Sequence, residues 1–206
     1  MKGFRCWVFA GVLLASALLG PYGAAQGTSG GAQAKEPPID PKTTTRLTLG
    51  GSSGTPGASV VVPVYFTPAQ NVEVGRIKLE VNYVSANMKF SKMDSGIAAE
   101  MGGVDLQTDV KEAKNDRGLE TQTVTITASF KSAEPPKKGI PPGLLAYLTL
   151  NISENGRPAT ITLRPVAEVS ELGSNKPVQN VRAFETKVEV LAPGTQPVVA
   201  CFFFTH

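Results

Sequence analysis

Apolar residues recur at every second position through much of this chain. Between Gly75 and Tyr83 the side chains of Ile77, Leu79, Val81 and Tyr83 point one way, while Arg76, Lys78, Glu80 and Asn82 point the other. A period of two is what a strand with one buried and one wet face requires. The alternation returns from Thr121 to Phe130, where Val124, Ile126, Ala128 and Phe130 alternate with Thr123, Thr125, Thr127 and Ser129. That arm and the stretch from Val104 to Ala113 predict a hairpin around KNDRG, because Asn, Asp and Gly are residues that turns select.

Further strands are predicted in TRLTL (residues 45–49), SVVVPVYF (59–66), a short segment at Met88 to Phe90, LLAYLTLNI (144–152), ATITLRPV (159–166) and AFETKVEVL (183–191). GGSSGTPG (50–57) reads as a turn, and SGIAAEMGG as the one candidate for a helical turn. Pro63 cannot donate to a ladder, which predicts an edge position or a bulge. LLAYLTLNI is the most apolar segment and is expected to be central. Proline-rich SAEPPKKGIPPG and turn-rich ELGSNKPVQN are loops. About nine short strands with turn signals between them predict an all-β fold, a sandwich of two sheets.

The ends read differently. Residues 1–25 look like a secretory signal peptide, with Lys2 and Arg5 before the apolar WVFAGVLLASALLG and small residues in YGAA for cleavage. The rival, a membrane anchor, needs about 20 apolar residues, and Pro21 interrupts this run. Cys6 precedes the apolar core, so it is not placed to carry a lipid. Export with no stable membrane insertion after cleavage is expected. Residues 26–42 are a polar flexible spacer, residues 43–191 the sandwich, and residues 192–206 a tail. The apolar end of that tail, Val198 to Phe204, is far too short to span a bilayer.

Removing the leader changes the charge. The full chain carries 20 Lys and Arg against 17 Asp and Glu, and the loss of Lys2 and Arg5 leaves 18 against 17, or +1. A near-neutral chain with interspersed signs lacks the clustered cations that nucleic acid or an anionic membrane demands. Of the two cysteines only Cys201 remains, so no internal disulfide is available.

Catalytic patterns are weak. GGSSG around Ser52 formally satisfies G-x-S-x-G, but that elbow needs a preceding strand, a following helix and a histidine, and the sole histidine is His206. The acidic residues Asp94, Glu100, Asp105, Asp109, Glu112, Asp116 and Glu120 could serve glycoside hydrolysis or calcium. Interleaved Lys111, Lys114 and Arg117 and the missing EF-hand spacing favour solvated charges instead. Zinc is unsupported, and no cofactor is expected.

Two pieces of this pattern carry a family likeness. LTLGGSSGTPGASVVVPVYF followed by VGRIKLEVNYVSANMKFSKMDSG, with the later GLLAYLTLNI and the path from ITL to KVEVL, resembles the cohesin family over residues 43–191. Val84-Ser85 departs from it, standing where the family usually has Asp-Pro. The resemblance implies a jelly-roll β-sandwich and a non-catalytic module that binds dockerin modules in extracellular polysaccharide-degrading or surface assemblies. It further implies a partner across one wet sheet face: Arg76, Lys78 and Glu80; Asp105, Gln107 and Asp109; Thr123, Thr125 and Thr127; Thr160 and Thr162. The plainer alternative for these residues is a solvated face rich in β-favouring threonine. The alternative partner is polysaccharide. Sugar-binding sandwiches present exposed rings, and the alternation points mainly Tyr65 outward among the aromatics.

Overall fold

Alternating segments become strands because each needs an apolar layer to cover its dry face. The computed structural model describes residues 39–131 and 136–195. The expected leader, most of the spacer, and the tail from residue 196, with Cys201 and His206, lie outside them. In chain order the first half gives β1 (Thr45–Leu49), β2 (Ser52–Gly54), β3 (Ser59–Thr67), β4 (Val74–Val84), β5 (Met88–Ser95) and the short helix α1 (Ile97–Gly102). The second half gives β6 (Val104–Lys114), β7 (Glu120–Phe130), β8 (Gly143–Ile152), β9 (Ala159–Glu171), β10 (Val181–Phe184) and β11 (Thr186–Val190).

These strands form two sheets, one of five in the order β10, β1, β3, β8, β5 and one of six in the order β2, β11, β9, β4, β7, β6. The architecture is the expected jelly-roll sandwich. Its core is filled from one side by Val62, Val64, Phe66, Leu145, Leu148 and Leu150, and from the other by Ile77, Leu79, Val81, Val124, Ile126 and Leu163. Each such side chain contributes about 1.5–3 kcal/mol relative to exposure. The alternation predicted for β4 and β7 is met at every one of these positions.

Among the described residues eleven strands replace the nine expected, because both terminal segments change sheets. β1 lies in the first sheet and β2, two residues on, in the second; the segment predicted as one strand over residues 183–191 divides at Glu185 into β10 and β11. β9 also runs past the predicted Val166 to Glu171. Pro63 is not at a sheet edge. β3 is flanked by β1 and β8, with a register shift between Val64 and Tyr65 right after the proline. The carbonyl of Pro63 accepts from the N–H of Gly50 at 2.8 Å, so its missing donor also faces Gly50, where the β1 ladder ends and only the last rung is lost. A Cβ on Gly50 would sit 2.6 Å from the Pro63 ring, which is why a glycine stands there.

The two sides of the sandwich close differently. On one, β1 pairs parallel with β10 and β2 parallel with β11, so the first and last strands cross between the sheets side by side. On the other, side chains bridge the gap. Gln122, only 4% exposed, accepts at Oε1 from the Tyr83 hydroxyl and, at 2.8 Å, from the Phe90 backbone N–H. Its Nε2 donates to Glu112 Oε1 at 3.1 Å, which in turn pairs with Lys89 Nζ at 3.4 Å. Phe90 and Lys89 belong to the five-stranded sheet, the other three to the six-stranded one. Burial is the main reason the Tyr83 phenol is pushed well above its ordinary pKa, and the nearby Glu112 carboxylate acts in the same direction.

Candidate functional site

All eleven residues singled out in the sequence fall on the outer face of the six-stranded sheet. Register brings them into rows across adjacent strands. Lys78 stands opposite Thr127, itself opposite Gln107; Glu80 opposite Thr125 and then Asp109; Arg76 opposite Ser129 and then Asp105. Thr123 lies between Asn82 and Lys111. Thr160 and Thr162 sit on the same face of β9, where they pair with Glu189 and Lys187 of β11. They stand beyond the last β4–β9 rung, Asn82 opposite Arg164. The residues therefore share one surface, with the threonines of β9 at its end.

This face is held in order by its own polar contacts. Lys78 Nζ lies 2.8 Å from Glu80 Oε1 and 4.0 Å from Glu168 Oε2. Asn82 Nδ2 donates to Thr123 Oγ1 at 2.8 Å, and Gln107 Nε2 to Asp105 Oδ2 at 3.2 Å. The hydrogen bond with Glu80, and then its charge, raise the pKa of Lys78; the same contact with Lys78 lowers that of Glu80, with Lys111 adding slightly. Water screens both groups, so the pair orients side chains more than it stabilises the fold.

Sequence reasoning missed the rest of this face. Arg164, Val166 and Glu168 of β9 share it, and Val166, opposite Glu80, is 65% exposed. The signal was present, since the alternation of Thr160 and Thr162 continues through Arg164 and Val166 within the predicted strand, and only Glu168 lies past its predicted end.

The other candidates disperse. Of the acidic residues, Asp105 and Asp109 lie on the outer face, Glu112 in the inter-sheet bridge, and Asp94 beside Lys92 at 2.8 Å on the five-stranded sheet. Among the described residues no three metal-ligating side chains gather. Ser52 begins β2 opposite Val188, so a strand follows the glycines rather than the helix an elbow needs. On the outer face of the five-stranded sheet Tyr147, 36% exposed, joins Tyr65, 44% exposed. Tyr147 was not expected outward. β8 is apolar on both faces around it, which hides its phase until Leu148, Leu150 and Ile152 are seen to be buried.

The fold and the placement of the polar face can be set beside known proteins. The family model of the cohesin domain matches residues 45–190. This chain belongs to the cohesin family. Among solved cohesins, the sixth from scaffoldin B of Acetivibrio cellulolyticus, in complex with a mutant dockerin, superimposes with a TM-score of 0.53 at 17% identity, covering 72% of this chain and all of that one (100%). A Clostridium thermocellum OlpC cohesin, also in complex with a dockerin, gives 0.53 at 14% identity over 76% of this chain and 99% of the other. A non-cellulosomal cohesin from the archaeon Archaeoglobus fulgidus gives 0.50 at 13% identity over 73% and 94%. No curated protein sequence matches this cohesin. At these identities the likeness to the solved structures speaks for the fold.

Proposed function

We propose that this cohesin is an exported, non-catalytic binding module that receives a dockerin-type protein module across the outer face of β9, β4, β7 and β6, in an extracellular polysaccharide-degrading or surface assembly. The observation that carries this is the shared, register-aligned polar face, combined with membership of a family whose solved members include complexes with dockerins. This face carries charges of both signs, Arg76 and Lys78 beside Glu80, Asp105 and Asp109, an arrangement that selects a complementary partner more than it attracts any charged body. The leader-like residues 1–25 support export.

Capture of secreted proteins from the host by residues 26–206, with insoluble polysaccharides run alongside, tests the proposal. A dockerin-bearing protein is the expected prey. Lys78→Ala and Asp109→Ala are each expected to weaken that capture about fivefold or more while leaving the fold intact. Unchanged affinity in both variants would remove this face as the docking surface. A second reading, direct contact with polysaccharide, draws support from Tyr65 and Tyr147 on the opposite sheet, with Pro63 directly across from Tyr147. Retention on polysaccharide without a protein partner would favour it.

A further inference from the structure

β9 outlasts β4 at one end of the six-stranded sheet. β4 stops at Val84 and the chain turns away, while β9 continues from Arg164 back through Thr162 and Thr160 to Ala159. The absent strand leaves a hollow of about 290 Å³, lined by Val84, Ala86, Asn87, Thr160, Thr162 and Arg164 among others. It opens at the end of the candidate docking face.

The chemistry of the hollow is uneven. Asn87 is already occupied, its amide exchanging contacts with the backbone of Arg157 at 3.5 and 3.4 Å. By contrast, Arg164 takes no part in the ion pairs formed by Lys78, Lys89 and Lys92. The nearest rows of β11 add Lys187 opposite Thr162 and Glu189 opposite Thr160. Glu80 and Glu168, the carboxylates further along the face, lie against Lys78. A forked guanidinium beside two hydroxyls, with Val84 and Ala86 as apolar walls, matches a carboxylate, which accepts several donors at once and gains from a charged one.

The geometry points to this hollow as a receptor for one aspartate or glutamate side chain of the partner protein, held by Arg164 with Thr160 and Thr162. The inference rests on the docking reading for its partner, but its test needs no dockerin. N-acetyl-aspartyl methylamide and its asparaginyl counterpart are titrated into isotope-labelled protein, residues 26–206, at neutral pH, and followed by NMR. The aspartyl probe is expected to shift the Arg164 side-chain N–H and the Thr160 and Thr162 amides saturably in the millimolar range, and the asparaginyl probe to bind about fivefold more weakly. Arg164→Met should abolish the response, whereas Arg76→Met, on the same face but outside the hollow, should keep it. Equal response to both probes, survival of the response in Arg164→Met, or no response at all would overturn the assignment. A specific response combined with failure to capture any dockerin would instead uphold the hollow and sink the docking reading.

Discussion

One amide oxygen ties the two sheets together where no backbone ladder does. Gln122 Oε1 serves Tyr83 on one sheet and Phe90 on the other. Gln122→Leu keeps the volume but leaves the phenol and the Phe90 N–H without an acceptor, and is expected to cost about 1–3 kcal/mol in urea denaturation. The same residues set an alkaline limit. With its pKa raised by burial, Tyr83 keeps its proton in the folded state above about pH 10, where an unfolded tyrosine loses it. The unfolded state then binds fewer protons, so stability is full below about pH 10 and falls above it, at up to about 1.4 kcal/mol per pH unit from this group. Tyr83→Phe should remove that part of the slope, and equal slopes for the two proteins would refute the assignment. The position of Gln122 was legible in the sequence, since it continues the inward phase of Val124 and Ile126. Its partner Phe90 was not, because the contact spans two sheets whose register no local pattern encodes.

At the scale of elements, the hairpin of β6 and β7 shows how much a turn can specify. Asn115 Oδ1 accepts from the backbone N–H of Arg117 and of Leu119, each at 3.0 Å, and Gly118 adopts φ 72°. Eleven rungs follow from Val104 opposite Phe130 to Lys114 opposite Glu120. Asn115→Ala removes both side-chain contacts and is expected to cost about 0.5–1.5 kcal/mol, read as an earlier midpoint in chemical denaturation with the slope unchanged. Turn chemistry and two-residue alternation made this hairpin, β4 and the short helix visible in advance. β2 escaped because the three residues Ser-Ser-Gly carry too few alternations to register as a strand, and β10, only four residues long, was read as the start of β11. Pro63 and Pro165 lie inside strands as read, Pro63 beside a bulge rather than at an edge, and each stands just past the point where a neighbouring strand stops, at Leu49 and Thr186 respectively.

For the whole molecule, the two sheets present unlike outer surfaces. One is polar, with charges of both signs and threonines in register; the other exposes Tyr65, Tyr147 and Val61. The all-β class and the candidate face followed from alternation and resemblance. The hollow beside Arg164 did not, because it depends on where one strand stops relative to its neighbour. The parallel pairing of the first and last strands has a mechanical consequence. β1 enters at one end of the sandwich and β11 leaves at the other, so tension applied between residues 45 and 190 runs along the strands and across the backbone bonds that join β1 to β10 and β2 to β11. Those bonds must slide and fail together instead of parting one at a time. Stretched in a single-molecule experiment through these two ends, the domain is expected to give way at markedly higher force than when pulled from residue 45 and an anchor at the β6–β7 turn, which would peel the edge hairpin rung by rung. A module so strung would hold its fold while carrying a load between whatever lies at its two ends.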